Sequence, residues 1–372
     1  MRCQPSGPEN AKIMLVGEAP GAQEEMLGKP FVGESGQELD RVLKDAELLR
    51  SMCRLTNVFL DRPPNNKFKE YWCHAKKEVS DVYQEMRPLL IEKTKDEFPN
   101  YTWPDKYDWT PLEIGKYLDP EHLPELLRLR KEIQEVEPNL VVAMGGTPFW
   151  ALTGVSAITK HRGTTTESEF IPGQKILPTF HPAYIMRTWA ARPTLVADLM
   201  KAKKELEFRD IRRPKRLIWI KPNLFDLEIF WHKYLKDAEI ISWDVETERK
   251  QITVIGFAPN KDISLVVPFV DKSKPGYNYW GTLKEEVKAW KFVRRILTCD
   301  TPKLAQNGLY DIQYAWRIMG IPVKNSIEDT MLLHHALQPE SKKDLGYLGS
   351  IYTNEASWKL MRHRSDTVKK DE

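Results

Sequence analysis

Between residues 13 and 36 an apolar run meets two glycine-punctuated loops, and this stretch constrains the fold more than any other. Ile13-Met14-Leu15-Val16 is apolar without alternation, which predicts a strand buried on both faces of a parallel sheet. Gly17-Glu18-Ala19-Pro20-Gly21 then breaks the strand and leaves one carboxylate, Glu18, at its C-terminal edge. Open α/β sheets bind their ligands at that edge. A second loop, Gly28-Lys29-Pro30-Phe31-Val32-Gly33, carries an aromatic ring, and residues 37–49 follow with Leu39, Val42, Leu43 and Ala46 at helical spacing. Neither loop is a nucleotide phosphate loop, because no Gly-Lys-Ser/Thr follows and no Gly-x-Gly-x-x-Gly opens the helix.

At 372 residues the chain exceeds what one core usually supports, so two domains are expected. The first half reads as alternating strands and helices: strand-like runs at 55–60, 139–144 and 175–178, and helices at 71–95, 123–136, 148–152 and 195–208. Residues 98–119 are rich in aromatics and proline (Tyr101, Trp103, Pro104, Tyr107, Trp109, Pro111). Such rings stack on single-stranded bases or pack the loop against the protein, and packing is the expectation here. The strand-like run at 175–178 leads into His181-Pro182-Ala183-Tyr184-Ile185-Met186-Arg187, a strand-ending histidine with an arginine six residues on.

These segments together resemble the family 4 uracil-DNA glycosylases. The first two loops match Gly-Glu-Ala/Gly-Pro-Gly and Gly-x-Pro-Phe-Val-Gly, with Glu24-Glu25 as the acidic pair between them. Thr56-Asn57-Val58 matches the segment presenting the base-reading asparagine, Lys160-His161-Arg162-Gly163 the family's Lys-x-Arg-Gly turn, and His181 to Arg187 its last motif. The resemblance implies that Gly17, Ala19, Phe31 and Asn57 hold the extruded base, with Phe31 stacked under it. An amide at Asn57 meets uracil O4 and N3–H together, a pattern that cytosine reverses. By the same resemblance His181 and Glu18 are catalytic, and Tyr184 and Arg187 lie near the DNA backbone.

The family also carries a four-cysteine iron–sulfur cluster, and here the sequence departs from it. Of the four cysteines (Cys3, Cys53, Cys73, Cys299), no two form Cys-x-x-Cys. Cys3 stands alone where the family has its first pair, Asp61 precedes Arg62-Pro63-Pro64 where the family has a cysteine, and the fourth ligand position falls near Glu125. Four thiolates or near substitutes are needed, so no iron–sulfur cluster is expected. The insertion at about 74–120 is expected to brace that side of the domain instead.

A second αβ pattern starts after a basic segment. Residues 201–221 hold nine Lys/Arg against three Asp/Glu, a strip suited to phosphate contacts or to a solvated linker. Strand-like runs at 217–220 and 239–243 flank a helix at 224–235; a hairpin is expected at 252–269, a helix at 280–297, and a segment leading into another helix at 328–337. The second of those strands is expected to end at Asp244-Val245-Glu246, and Asn307-Gly308-Leu309-Tyr310-Asp311 opens another helix. Asp-x-Glu with Asn-x-x-x-Asp resembles the first two motifs of the DEDD 3′–5′ exonucleases, and Asp329-Thr330-Met331-Leu332 and Asp344-Leu345-Gly346-Tyr347-Leu348 resemble the proofreading domain of family A DNA polymerases. The resemblance implies that Asp244, Glu246 and Asp311 hold Mg²⁺ or Mn²⁺, which clamp the attacking water and the leaving oxygen. The third motif, Tyr-x-x-x-Asp or His-x-x-x-x-Asp, has no match in the charged tail at 361–372, where Asp366 lacks the tyrosine four residues before it. Two expectations stay open: an N-terminal portion of a longer polymerase, or an exonuclease-like domain without activity.

The expected architecture is therefore α/β with two domains. A parallel-sheet, three-layer glycosylase-like fold spans 1–208, a basic linker 209–215, and an incomplete RNase H-like exonuclease fold 216–372. The expected partner is uracil-containing DNA, single-stranded or duplex, with a polymerase domain in cis or in trans. The rival reading is a uracil-binding module without catalysis. No apolar run approaches membrane length and Met1-Arg2-Cys3-Gln4 is no signal peptide, so a cytoplasmic protein of a bacterium or a phage-infected host cell is expected.

Overall fold

In a computed structural model, which describes residues 2–353 and 355, the chain divides into two compact units. Among the described residues, the first holds residues 2–212 with 349–353 and 355, and the second is Arg213–Leu348. The tail at 361–372, where a third exonuclease motif was sought, lies outside the described residues.

The strands of the first unit are β1 (Ile13–Gly17), β2 (Cys53–Asn57), β3 (Cys73–His74), β4 (Tyr117–Leu118), β5 (Leu140–Met144), β6 (Thr166–Glu167) and β7 (Lys175–Thr179). Five of them form one sheet in the order β2-β1-β5-β7-β6, parallel except for the short edge strand β6. β1 and β5 are buried along their whole length because both faces are covered. Met14, Val16, Val141 and Ala143 pack with the helix Leu123–Val136, whereas Ile13, Leu15, Leu140 and Val142 pack with Glu34–Asp45 and Arg192–Glu205. Strand periodicity places successive residues on opposite faces, and each face meets its own helical layer.

Two expected elements shift. The strand expected at 55–60 ends at Asn57: Val58, Phe59 and Leu60 are apolar because they enter the core as a loop. The helix expected at 71–95 starts only at Lys76, because Cys73–His74 pairs with Tyr117–Leu118 in the separate ribbon β3-β4. The aromatic segment packs down. Trp103 and Tyr107 are buried, with Trp103 Nε1 donating to Thr94 Oγ1 at 2.9 Å and Tyr107 Oη to the Leu118 carbonyl at 2.8 Å. A buried indole or phenol must find such a partner, and these rings have theirs within the protein.

The second unit has β8 (Leu217–Trp219), β9 (Ile241–Glu248), β10 (Gln251–Asn260), β11 (Ile263–Pro268), β12 (Lys303–Ala305) and β13 (Ser326–Asp329) in the order β13-β12-β9-β10-β11-β8. β9, β10 and β11 are antiparallel, whereas β12 runs parallel to β9 and β13 parallel to β12. Ile241, Trp243 and Val245 face a core shared with the helix Leu283–Thr298. Asp244 and Glu246 do not end the strand, as the sequence suggested; β9 continues to Glu248, and the alternation places both carboxylates together on the opposite face. The segment 328–337 leads from strand into helix as expected: Glu328 and Asp329 end β13, and Asp329 caps the helix Thr330–Leu337. The helix expected from 280 begins at Leu283, where Thr282 accepts the Glu285 N–H. Among the described residues, no helix is long and apolar enough to cross a membrane.

Candidate active site

β1 is followed by β2 on one side and β5 lies on the other, so the strand order reverses around β1. A crevice forms at such a switch point beyond the strands' carboxyl ends. Four loops supply it: Gly17-Glu18 after β1, Asn57 at the end of β2, Gly145 to Thr147 after β5, and His181 after β7. Gly17 pairs in register with Asn57, and beyond them Val58 N–H donates to the Gly17 carbonyl at 2.9 Å and Phe59 N–H to that of Glu18 at 3.0 Å. Any β-carbon at Gly17 would intrude on Asn57 Oδ1 and come within 2.7 Å of the Phe31 ring. The backbone there is the floor on which both side chains rest.

Phe31 is buried, with a φ of 54° in the left-handed region, and its ring lies against that of His181 with centroids 5.8 Å apart and 27° between planes. Its conformation is held by Arg50, which donates to the Phe31 carbonyl at 2.8 Å, and by Gly36, where a β-carbon would collide with that carbonyl. His181 precedes the helix Pro182–Arg187 and accepts the Ala183 N–H on Nδ1 at 3.1 Å. A backbone N–H can only donate, so the neutral ring carries its proton on Nε2. Burial, with Arg187 adding to it, lowers the His181 pKa to about 4. Glu18 is the converse case: burial raises its pKa, against the opposing effects of the Thr147 hydrogen bond and of Lys69.

The structure brings Gly17, Glu18, Phe31, Asn57 and His181 to this crevice. Ala19 packs beside them against the core, and Tyr184 and Arg187 sit exposed on the short helix that His181 caps, Tyr184 against Phe180 at 4.8 Å. Three contributors were missed. Thr147 donates from the β5 loop to Glu18 across the switch point. Glu24 accepts from Gly33 N–H at 2.8 Å and Gly21 N–H at 3.2 Å, tying the two glycine loops together. Arg128 donates to the carbonyls of Asn57 and Val58 at 2.6 and 2.7 Å. The acidic pair 24–25 was a signal for the second; the other two lie 129 and 71 residues from their partners.

The residues do not fit an iron–sulfur cluster. A cluster needs four thiolates or near substitutes, but Asp61 stands at one position where the resemblance expects a cysteine, Glu125 lies near another, and Arg2 pairs with Glu125 and sits 3.9 Å from Asp61. Among the described residues, no group of three or more His, Cys, Asp or Glu side chains is placed to hold a metal.

In the second unit, β12 stops short along β9, and the Val245 N–H donates instead to Asp311 Oδ1 at 3.0 Å. Burial raises the Asp311 pKa to about 6, with Asp244 adding to it, and burial and Glu246 likewise raise that of Asp244. Asp329 differs: the N–H groups of Gly308, Asn307, Met331 and Leu332 outweigh burial and lower its pKa. Asp244, Glu246 and Asp311 thus repel one another, without forming a closed metal site.

Residues 4–204 match the uracil DNA glycosylase superfamily. The chain is 27% identical over 198 residues to a type-4 uracil-DNA glycosylase of Thermotoga maritima, which covers 52% of this chain and 77% of that protein. To the type-4 uracil-DNA glycosylase of Sulfurisphaera tokodaii it is 46% identical over 209 residues, covering 53% of this chain and 71% of the relative. A DNA polymerase of Bacillus phage SP01 is 24% identical over 264 residues, 63% of this chain and 27% of the polymerase.

Proposed function

The chain belongs to the uracil DNA glycosylase superfamily, and from that premise we propose that its first unit excises uracil from DNA by hydrolysing the N-glycosidic bond. The observation that carries this reading is the convergence of Glu18, Phe31, Asn57 and a neutral, Nε2-protonated His181 at one crevice. The target base leaves the stack to reach it. Phe31 offers a ring face and Asn57 an amide that matches uracil O4 and N3–H. Breaking the N1–C1′ bond moves negative charge onto uracil O2 and positive character onto the sugar. His181, kept neutral by burial, donates its Nε2 proton in a hydrogen bond to that growing charge. Glu18, when ionised, stabilises the sugar cation and orients the water that adds to C1′. Tyr184 and Arg187, exposed beside His181, contact the DNA backbone.

The second unit is read as an RNase H-like, proofreading-type exonuclease domain. Three antiparallel strands continued by two parallel ones, with carboxylates on β9 and on the helix Leu309–Met319 that follows β12, support that reading. The partial match to a phage DNA polymerase supports a polymerase as its partner, in cis or in trans. Asp244, Glu246 and Asp311 would gather Mg²⁺ or Mn²⁺, which supplies Lewis-acid activation of water at a phosphodiester.

The deciding experiment incubates the protein with uracil-containing single- and double-stranded oligonucleotides, with and without Mg²⁺, and separates abasic product from 3′ shortening. Abasic product without Mg²⁺ is expected. Binding of uracil-DNA without abasic product would make the first unit a recognition module instead.

A further inference from the structure

We propose that a line of alternating charges, Arg2–Glu125–Arg128–Glu132, is the device that positions Asn57, and that it stands where the family resemblance places an iron–sulfur cluster. This inference rests on the reading of Asn57 as the base-recognising residue. β2 is the edge strand of its sheet, so its outer carbonyls need partners from elsewhere. The N-terminal segment supplies some: Ser6 and Leu55 exchange hydrogen bonds at 2.9 and 2.7 Å, and Cys3 N–H donates to the Leu60 carbonyl at 2.8 Å. Between these points the carbonyls of Asn57 and Val58 go to the Arg128 guanidinium at 2.6 and 2.7 Å. The planar fork of arginine suits two adjacent oxygens; a lysine ammonium does not reproduce it.

Arg128 is held in turn. It donates to Glu132 Oε2 at 2.7 Å and to Glu125 Oε2 at 3.3 Å, and Glu132 also receives the Thr56 hydroxyl at 3.0 Å and Arg54 Nε at 3.3 Å. Residues 125, 128 and 132 fall on one face of the helix Leu123–Val136, so a single stripe grips the end of β2. Arg2 closes the outer end, paired with Glu125 and 3.9 Å from Asp61. Asp61 stands at one of the four positions at which the resemblance expects cysteines, and Glu125 lies near another. They meet in space, as that resemblance requires, but across an arginine. The apolar side of the same region is a stack in which the Trp72 and His122 rings are 4.1 Å apart and Phe59 and Trp72 5.4 Å. A half-buried guanidinium with every partner in place orients the strand end, and loss of either carboxylate weakens the compensation of its charge.

The test uses the whole chain and a uracil-containing single-stranded oligonucleotide, with the same sequence carrying cytosine as control. In Arg128→Lys and in Glu125→Gln, KM for uracil release should rise about tenfold with kcat much less affected, and the uracil-over-cytosine binding ratio should fall by a similar factor. Glu125→Asp should recover most of the loss. Binding of the cytosine oligonucleotide should stay at the wild-type level. If Arg128→Lys does not fold, Glu125→Gln, which keeps the side chain's size and removes one charge, decides. Wild-type KM and uracil preference in the Glu125→Gln variant would overturn the inference, as would a fall in melting temperature with kcat and KM unchanged. A wild-type protein that prefers uracil but releases none defeats the catalytic reading alone, because the binding ratio still tests the ladder. One that shows no uracil preference removes the basis of both.

Discussion

At the crevice of the first unit the ionisable groups are few, whereas around β9 of the second unit burial and a neighbouring carboxylate together raise the pKa values of Asp244 and Asp311. His181 is kept uncharged by burial and Glu18 has Thr147. Asp244 faces Glu246 and Asp311 with no cation of the protein's own among the causes of their shifts. A pre-organised site of neutral donors is suited to stabilising charge that appears only during reaction. A set of mutually repelling carboxylates is suited to receiving charge from outside, as divalent ions provide. The contrast separates what each unit can do from its own residues from what it must import.

His181→Ala breaks the first half of that comparison most strongly. If Nε2–H meets the growing charge on uracil, base release should fall by about 10²–10³ in kcat, near 2.7–4 kcal/mol, while uracil-DNA still binds. Single-turnover release in EDTA measures it, and wild-type release should be unaffected by the chelator.

The pH profile sharpens the same half with a smaller effect. With Glu18 acting ionised, as proposed, its raised pKa means that kcat/KM should climb with pH through a midpoint above the ordinary glutamate value. His181, at about 4, is neutral throughout that range and adds no limb near 6.5. Thr147→Val removes a hydrogen bond that lowers the Glu18 pKa, so the limb should move to higher pH. A limb near 6.5 that vanishes in His181→Ala would reverse the assignment of the neutral group.

The smallest effect concerns the second unit. Mg²⁺ or Mn²⁺ should bind loosely and shorten 3′ ends slowly or undetectably in this chain. Asp244→Ala removes a like charge, so the Asp311 titration, read by carboxyl NMR, should move down from about 6. Brisk Mg²⁺-dependent digestion abolished by Asp244→Ala would show that this carboxylate set works without the missing third motif.

Much of the site was legible because its residues sit at breaks in pattern. Gly17-Glu18 and His181 each follow an apolar run, and a polar residue at the end of a buried strand is conspicuous, whereas Asn57, inside the expected strand 55–60, stood out only through the resemblance of Thr56-Asn57-Val58 to a family segment. The helix at 123–136 was read to the residue from its spacing. Apolarity alone misled at Val58 to Leu60, since a loop pressed into a core carries the same residue types as a strand. The alternation of Ile241-Ser242-Trp243-Asp244-Val245-Glu246 marks a half-buried strand running on, but the interest of its carboxylates suggested an end. Arg128 and Thr147 were invisible because a helical arginine and a helix-start threonine have ordinary local reasons to exist. Their partners appear only when distant strands are laid side by side.

Gly17 carries a consequence that belongs to heredity as much as to structure. The room for a flat ring above it exists because one carbon is absent: a methyl group there would crowd Asn57 Oδ1 and the Phe31 ring at once. No charge, loop or helix would need to change for that seat to close. Drift elsewhere in the crevice can be absorbed by a neighbour that shifts. At position 17 the neighbours are Asn57 and Phe31, the groups proposed to recognise the base, so under that reading the smallest possible addition to the chain is also among the most complete ways to silence it.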